Sequence, residues 1–465
     1  MSRSKAIVFI ENFLPLALTR RAMYAQDTGY STYLITSVLS EQNWTSLRNF
    51  EENVREGKPS FTRICEVEHF DLDTLRSLLR EIEQEADIAG LITGNGPFCK
   101  DGLVSAHTAL LAEERNLPSQ GSDALFRSHN KFLMRDAFRA KGMNTIDFGL
   151  AVDVQSAKEH ADRIGYPVLM KPINGVASHL ILKCSDETEL IEHFNLAMEK
   201  LPHSSFQTLY EGTHTYPLAN GEEVFFDPMR CLLIEQYIPG REVSVEVLIT
   251  EDRYIALLTQ DKAVLTEENN CVYEDLLITP PVRFTAEECQ ELEEYALAAA
   301  RAIGLKNSIA HIELRYGENG LGPQVLEINP RLGGGFTHES LRTMVGLDFV
   351  PTYVELMSGT FEPKETYERL SEPHGMFLLY APHAGLYEAV EGLEELKQMP
   401  GILNTMHPFP VGQLIHGDEE EVMLLLVWMK GESYEQILDS YQKVKQLVKF
   451  KIDPSQKPTG SNIVR

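Results

Sequence analysis

A chain of 465 residues, 43% hydrophobic, 24% charged and 9% aromatic, has the make-up of a folded globular protein and excludes a disordered, collagen-like or repeat chain. At about 100–200 residues per domain it predicts two to four domains. Its 69 acidic residues against 42 basic ones leave a formal charge of −27, which disfavours nucleic acid and anionic lipid as partners, so an anionic substrate needs a local cluster of cations and amides.

Residues 6–10 read as a buried strand, 15–27 as a helix, 31–36 as a second strand and 88–93 as a later one; this alternation predicts a parallel sheet covered by helices. The turn Gly94-Asn95-Gly96 lies at a carboxyl strand end, where such sheets bind ligands, although a tight βα turn is the simpler reading. A second unit starts near Ser122. Ser128 or Asn130 caps a helix over 131–140, residues 155–164 are helical, and strands 166–171 and 180–184 form a hairpin around the turn 174–178. Residues 201–228 contain Pro202, Pro217, Pro228, Gly212 and Gly221 and read as a long loop. Strand-like runs resume at 232–237, 243–250, 254–259, 310–316 and 323–328, with a helix over 286–303 between them, and the last hundred residues read as another α/β unit. The six cysteines include no C-x-x-C pair and read as buried thiols of a reducing compartment. The apolar runs 6–10 and 422–429 are too short for a leader or a membrane span, so the expected location is the cytoplasm.

The densest chemistry lies in Val325-Leu326-Glu327-Ile328-Asn329-Pro330-Arg331-Leu332-Gly333-Gly334-Gly335. On a strand, Glu327 and Asn329 share one face and offer hard oxygen ligands of the kind magnesium takes. His311-Ile312-Glu313-Leu314-Arg315 places a further carboxylate on a strand joined to the first by the turn 317–322, and pairing would bring Glu313 beside Glu327. Two close carboxylates repel unless a cation joins them; the alternative is a solvated acidic hairpin face. Arg331 suits bidentate contact with a phosphate or carboxylate, and three glycines let backbone amides approach an anion. Lys171 ends an apolar strand just before a flexible turn, and Lys131 sits on the preceding helix; together they suit phosphates, and singly each reads as a surface charge. In Glu235-Gln236-Tyr237-Ile238-Pro239-Gly240-Arg241-Glu242 a strand runs into a turn that can meet an adenine edge, with Glu242 on ribose hydroxyls, or that carries two solvated acids.

In this order the elements resemble the ATP-grasp superfamily from about Ser122 to Gly359. The resemblance rests on Asn130-Lys131 with Met134-Arg135, Gly165 to Pro172 with its glycine loop, Ile234 to Glu242, and Glu313 with Glu327-Ile328-Asn329-Pro330-Arg331. It implies an α/β fold, α+β in the grasp halves: a Rossmann-like pre-ATP-grasp domain over 1–121, a small ATP-grasp subdomain over 122–228 with the long loop 201–228, a large one over 229–360, and a C-terminal α/β subdomain over 361–465. It implies that Lys131 and Lys171 hold ATP phosphates beneath the loop of Ser178. The segment Glu235, Gln236, Tyr237, Ile238 would bind the nucleotide, with Glu235 and Ile238 on adenine and Glu242 on ribose. Glu313, Glu327 and Asn329 would bind two Mg2+ ions, Mn2+ being an alternative, and Lys262 would be a further phosphate contact.

Within the superfamily the chain looks most like the L-amino acid ligases, also through Asp101-Gly102-Leu103 and Leu117-Pro118-Ser119-Gln120-Gly121. That implies an ADP-forming carboxylate–amine ligase that phosphorylates a carboxylate and passes the acyl group to an amine, with Arg331 and Lys262 as the catalytic cations. The implied partners are small carboxylates and amines, amino acids joined into a dipeptide above all, with a homodimer left open. Glu274, Gly334, Gly335 and His338 fall on the substrate side. One pattern departs: where members carry Glu-x-Gly-His-x-x-Pro, this chain has Glu274-Asp275-Leu276-Leu277-Ile278-Thr279-Pro280. Leucines stand for glycine and histidine, which leaves the substrate more open than the ATP chemistry. The competing expectations are a biotin-carboxylase-like or purine-pathway ligase, a ligase with a thiol or protein-tail acceptor, and a nucleotide-binding regulator without turnover.

Overall fold

The computed structural model describes residues 3–12, 16–94, 98–175, 179–204, 210–268, 271–415 and 422–456. The N-terminal sheet is parallel, in the order Arg63–Val67, Ser31–Ser37, Lys5–Glu11, Asp87–Ile92. Its strands are covered on both faces, which is why the run Ala6 to Ile10 is apolar without alternation. Ala6, Val8 and Ile10 pack with Leu75, Leu79 and Leu111 on one side. Ile7 and Phe9, on the other, share a core with Leu248, Ile309 and Met344, so this sheet is seated directly on the largest sheet of the molecule.

A small antiparallel sheet follows, ordered Phe148–Ala151, Leu232–Gln236, Val168–Pro172, Leu182–Cys184. Alternation splits its residues: Val168, Met170, Leu232 and Ile234 pack on the helices Val154–Ile164 and Glu187–Lys200, leaving Leu169, Lys171 and Glu235 on the opposite face. Asp153 and Asp186 cap the two helices. The large sheet has eight strands, in the order Gly322–Asn329, Ser308–Gly317, Gly240–Ile249, Tyr254–Glu268, Cys271–Thr279, His374–Tyr380, Met423–Lys430, Ile402–Met406. Val243, Val245, Val247, Ala310, Ile312 and Leu314 pack against the helix Ala286–Ile303, which begins in a Thr285/Glu288 capping box and ends at left-handed Gly304. The intervening Glu242, His311, Glu313 and Arg315 face the small sheet across a cavity.

Three regions differ from the sequence expectation. Residues 201–228 hold a hairpin, His214–Pro217 with Glu223–Phe226, because Phe226 stacks on His214 at 5.2 Å and packs with Leu133, docking the segment on the helix Lys131–Ala140. The strand expected to end at 259 continues to Glu268 and pairs with Cys271–Thr279. Asp261 and Lys262 interrupt the apolar pattern yet stay buried, since Arg283 pairs with the first and three glutamates with the second. The strands His374–Tyr380, Met423–Lys430 and Ile402–Met406, expected in a separate unit, extend the large sheet through the ladder Leu277 to Met376; a three-stranded sheet of 385–391, 414–415 and 449–453 stands beside it. Among the described residues no helix is long and apolar enough to cross a membrane.

Candidate active site

The small sheet and the large sheet enclose a cavity of about 300 Å³. From the small-sheet side come Lys171, on the strand Val168–Pro172, and Lys131, the first residue of its helix. Asn130 caps that helix by accepting from Phe132 and Leu133, and the Lys131 amide donates to the Ile173 carbonyl at 2.8 Å, so helix start and strand end are tied together. Lys131 Nζ lies 3.3 Å from Glu327 Oε1, across the cavity, and 3.4 Å from the Gly175 carbonyl. Lys171 Nζ lies 2.5 Å from Glu235, whose other oxygen accepts from Arg135 Nε at 3.1 Å. Burial holds the Lys171 ammonium below an ordinary lysine; Glu235 opposes that, and Arg135 and Lys131 reinforce it.

The large-sheet side is acidic. Glu313 and Glu327 are register partners on neighbouring strands and both line the cavity. Register slips there by one residue, so Leu326 bulges and faces the cavity beside Glu327. Glu242, Glu274 and Glu313 bring carboxylate oxygens within 4.8 Å of one another. Lys262 Nζ sits among them at 2.6, 2.5 and 2.8 Å. Burial pulls down the Lys262 pKa, and the three carboxylates overturn that and raise it well above the ordinary value. Burial likewise raises Glu313, but Lys262 and His311 hold it well below the usual carboxylate range. Arg331, Gly334 and Gly335 also line the cavity, with Arg331 Nη1 donating to the Leu332 carbonyl at 3.0 Å. Past Gly335 the wall is apolar: Leu277, Met376, Leu378, Tyr380 and Met423. Gly335 has φ +61°, and a β-carbon there would stand 2.6 Å from Met376 Sδ, so glycine is what lets the loop lie on this wall.

Residues 164–339 match the ATP-grasp domain family, a span that includes Lys171, the segment 235–242, Lys262, Glu313, Glu327 and Arg331. The chain carries an ATP-grasp domain. An uncharacterised protein of Sinorhizobium fredii is 24% identical over 348 residues, covering 74% of this chain and 63% of that protein. Alanine–anticapsin ligase of Bacillus subtilis is 22% identical over 279 residues, 59% of this chain and 56% of the relative, so the chain spans less than two thirds of either. The L-amino acid ligase structure from Bacillus licheniformis superposes with a TM-score of 0.72 at 20% identity, over 97% of this chain and all of that one, which establishes the shared fold.

In the ATP-grasp cavity the structure gathers Lys131, Lys171, Glu235, Gln236, Tyr237, Ile238, Glu242, Glu274, Glu313, Glu327, Arg331, Gly334 and Gly335. Lys183 adds a cation 4.2 Å above the Tyr237 ring. Three expected roles are changed. Lys262 lies within a strand, not after one, and its ammonium is taken up by three glutamates instead of being offered to a phosphate. His338 sits in the helix Thr337–Met344 and turns to Asp348 at 3.2 Å, outside the cavity lining. Asn329 is paired in register with His311 and does not line the cavity either. The Glu235 carboxylate is clamped between Lys171 and Arg135, and Glu242 between Lys262 and Arg315 (2.7 Å), so both position cations before they meet any ligand. Ser178 and the turn residues Asn95 and Gly96 lie outside the described residues.

The sequence reading passed over Glu246, His311 and Arg315, although their alternation with valines, isoleucine and leucine in Glu242-Val243-Ser244-Val245-Glu246 and His311-Ile312-Glu313-Leu314-Arg315 is the signal of a polar face on a buried strand. It also missed the apolar wall, because most of that wall comes from the strands His374–Tyr380 and Met423–Lys430, far along the chain and brought in by sheet pairing.

Proposed function

We propose that this protein is an ATP-dependent, ADP-forming carboxylate–amine ligase that joins amino acids or similar carboxylates through an acyl phosphate. The observation that carries this reading is the polarity of one cavity: a surplus of cations on the small-sheet face, a surplus of carboxylates on the large-sheet face, and Arg331 with Gly334 and Gly335 in the same lining. The cationic face, Lys131 and Lys171, binds the phosphates of ATP, and the strand end at Gln236 to Ile238 holds the base. Glu313 and Glu327 have the hard oxygen donors and the adjacency to hold Mg2+, which when bound neutralises phosphate charge during transfer.

The carboxylate oxygen of the acyl donor takes the γ-phosphoryl group and ADP leaves. The amine then attacks the acyl carbon, the carbon–phosphate-oxygen bond breaks and phosphate departs. Arg331 stands where negative charge develops in both steps, on the acyl phosphate and on the tetrahedral intermediate, and its fixed position supplies stabilisation without reorganisation. No side-chain nucleophile is needed. The apolar wall at Leu277, Met376, Leu378 and Met423 supports a substrate with an apolar side chain and disfavours bicarbonate or a phosphoribosyl amine, whose anionic group would find no partner there. The name of the Bacillus subtilis relative supports amino acid substrates.

The test is ADP and phosphate release with MgATP and all pairs of the twenty amino acids, products read by mass spectrometry. Turnover with apolar acyl donors, one ADP per amide, is expected. Tight MgATP binding with no ADP release for any acid–amine pair overturns the reading; turnover confined to charged donors overturns the substrate class.

A further inference from the structure

Glu246 is fully buried on the strand Gly240–Ile249, between Ser244, whose hydroxyl is unpartnered, and Leu248 of the apolar core. Nothing in that strand's own packing calls for an acid, and a buried carboxylate is costly unless both oxygens are engaged. One oxygen pairs with His311 Nδ1 on the adjacent strand, and the other accepts the Gly333 amide at 3.2 Å. The same histidine donates its backbone N–H to the Arg331 carbonyl at 2.8 Å, and its Nε2 stands 3.6 Å from Glu313 Oε1. A β-carbon on Gly333 would lie 2.6 Å from His311 Nδ1 and 2.7 Å from Glu246 Oε1, so the loop is pressed onto this pair as closely as its backbone permits. Thr337 also holds the Gly334 carbonyl, through Oγ1 at 2.8 Å and through its backbone N–H at 3.3 Å.

We propose that Glu246 and His311 are positioning residues that lock the Arg331–Gly335 loop to the acidic end of the cavity, so that one buried pair sets the acyl-transfer arginine. The proposal rests on the ligase reading for the role of Arg331. Three successive glycines have more conformational freedom to lose than any other sequence, and a displacement of about 1 Å in such a group costs as much as 100-fold in rate. The pair removes that freedom where the reacting groups meet.

The experiment uses the full chain, with Glu246→Gln and, should that variant fold poorly, His311→Asn. With an active amino acid pair, Glu246→Gln is expected to lower kcat for amide formation about 30-fold or more while the KM for MgATP moves less than about twofold, and to raise the ratio of ADP released to amide formed, since a misplaced Arg331 leaves the acyl phosphate to water. Combined with Arg331→Ala, the Glu246 substitution is expected to cost nothing further, because it acts through the arginine. Independent losses that multiply, or an unchanged ADP-to-amide ratio, overturn the proposal. Deuterium exchange of the peptide spanning 331–336 is the readout that needs no substrate: about tenfold faster exchange in Glu246→Gln supports the lock, and unchanged exchange overturns it. A wild-type protein without turnover counts against the ligase reading alone, and the exchange measurement still decides the lock.

Discussion

Lys171 and Lys262 are the same residue type, with side chains 4% and 1% exposed, each held by glutamate, and their surroundings are opposite. Around Lys171 there is one carboxylate, Glu235, shared with Arg135 and with Lys131 nearby, so this side of the cavity has positive charge left over. Around Lys262 there are three carboxylates, and with Glu246 and Glu327 on the same face the acids outnumber Lys262, Arg315 and His311, so negative charge is left over. The difference teaches what each face lacks: the small sheet is completed by an anion and the large sheet by a cation. On the proposed reading a nucleoside triphosphate with its divalent ion would supply both, within a chain of net charge −27.

The comparison is broken or sharpened by substitutions on each side. Glu327→Ala removes a half-buried carboxylate from the cation-seeking face, and about a 1,000-fold loss of Mg2+-dependent ADP release is expected with a melting temperature close to wild type; retained activity removes the metal assignment. Lys171→Met takes away the cation surplus, and titration calorimetry is expected to show ATP and ADP both bound about 100-fold more weakly, with the fold intact because Arg135 still pairs Glu235. Lys262→Met acts in the other direction. It removes the cation shared by three carboxylates within 4.8 Å of one another and is expected to destabilise the fold by about 3–5 kcal/mol, with added Mg2+ raising the melting temperature more than it does in the wild type. If the two lysine variants lose nucleotide affinity alike and neither responds to the ion, the two faces are not different in kind.

Glu11 provides the smallest effect and a control outside both clusters. It is buried at the end of the strand Lys5–Glu11; desolvation raises its pKa to about 7, against hydrogen bonds from Gly94, Asn12 and Thr93 that lower it. Because the folded state holds this proton more tightly than the unfolded one, its contribution is fully present below pH about 4.5 and is lost as pH rises through 7. Glu11→Gln is expected to flatten the stability profile between pH 5 and 8 by about 1–3 kcal/mol, measured by denaturant melts, without the Mg2+ response of Lys262→Met.

Much of the charged lining of the cavity was legible in the sequence, since these residues lie next to chain signals that local rules read: Lys131 one position after an N-cap, Lys171 at the end of an apolar strand, Glu313 and Glu327 on two strands joined by a short turn. Roles set by who pairs with whom were not. Lys262 reads as a free cation in sequence because its glutamates are 20, 12 and 51 residues away, and His338 reads as a neighbour of the glycines because helix direction, which turns it to Asp348, is a property of packing.

The amino-acid sequence by itself determined much of the order of strands and helices, the cations and carboxylates that line one cavity, and the departure at Leu276-Leu277, because periodicity and short spacings are local quantities. Only the tertiary structure decided that three glutamates surround Lys262 and one faces Lys171, that Glu246 and His311 contact the glycine loop, and that strands from late in the chain wall the cavity with apolar side chains. Those depend on long-range sheet register, and a single residue of register decides which face every side chain meets.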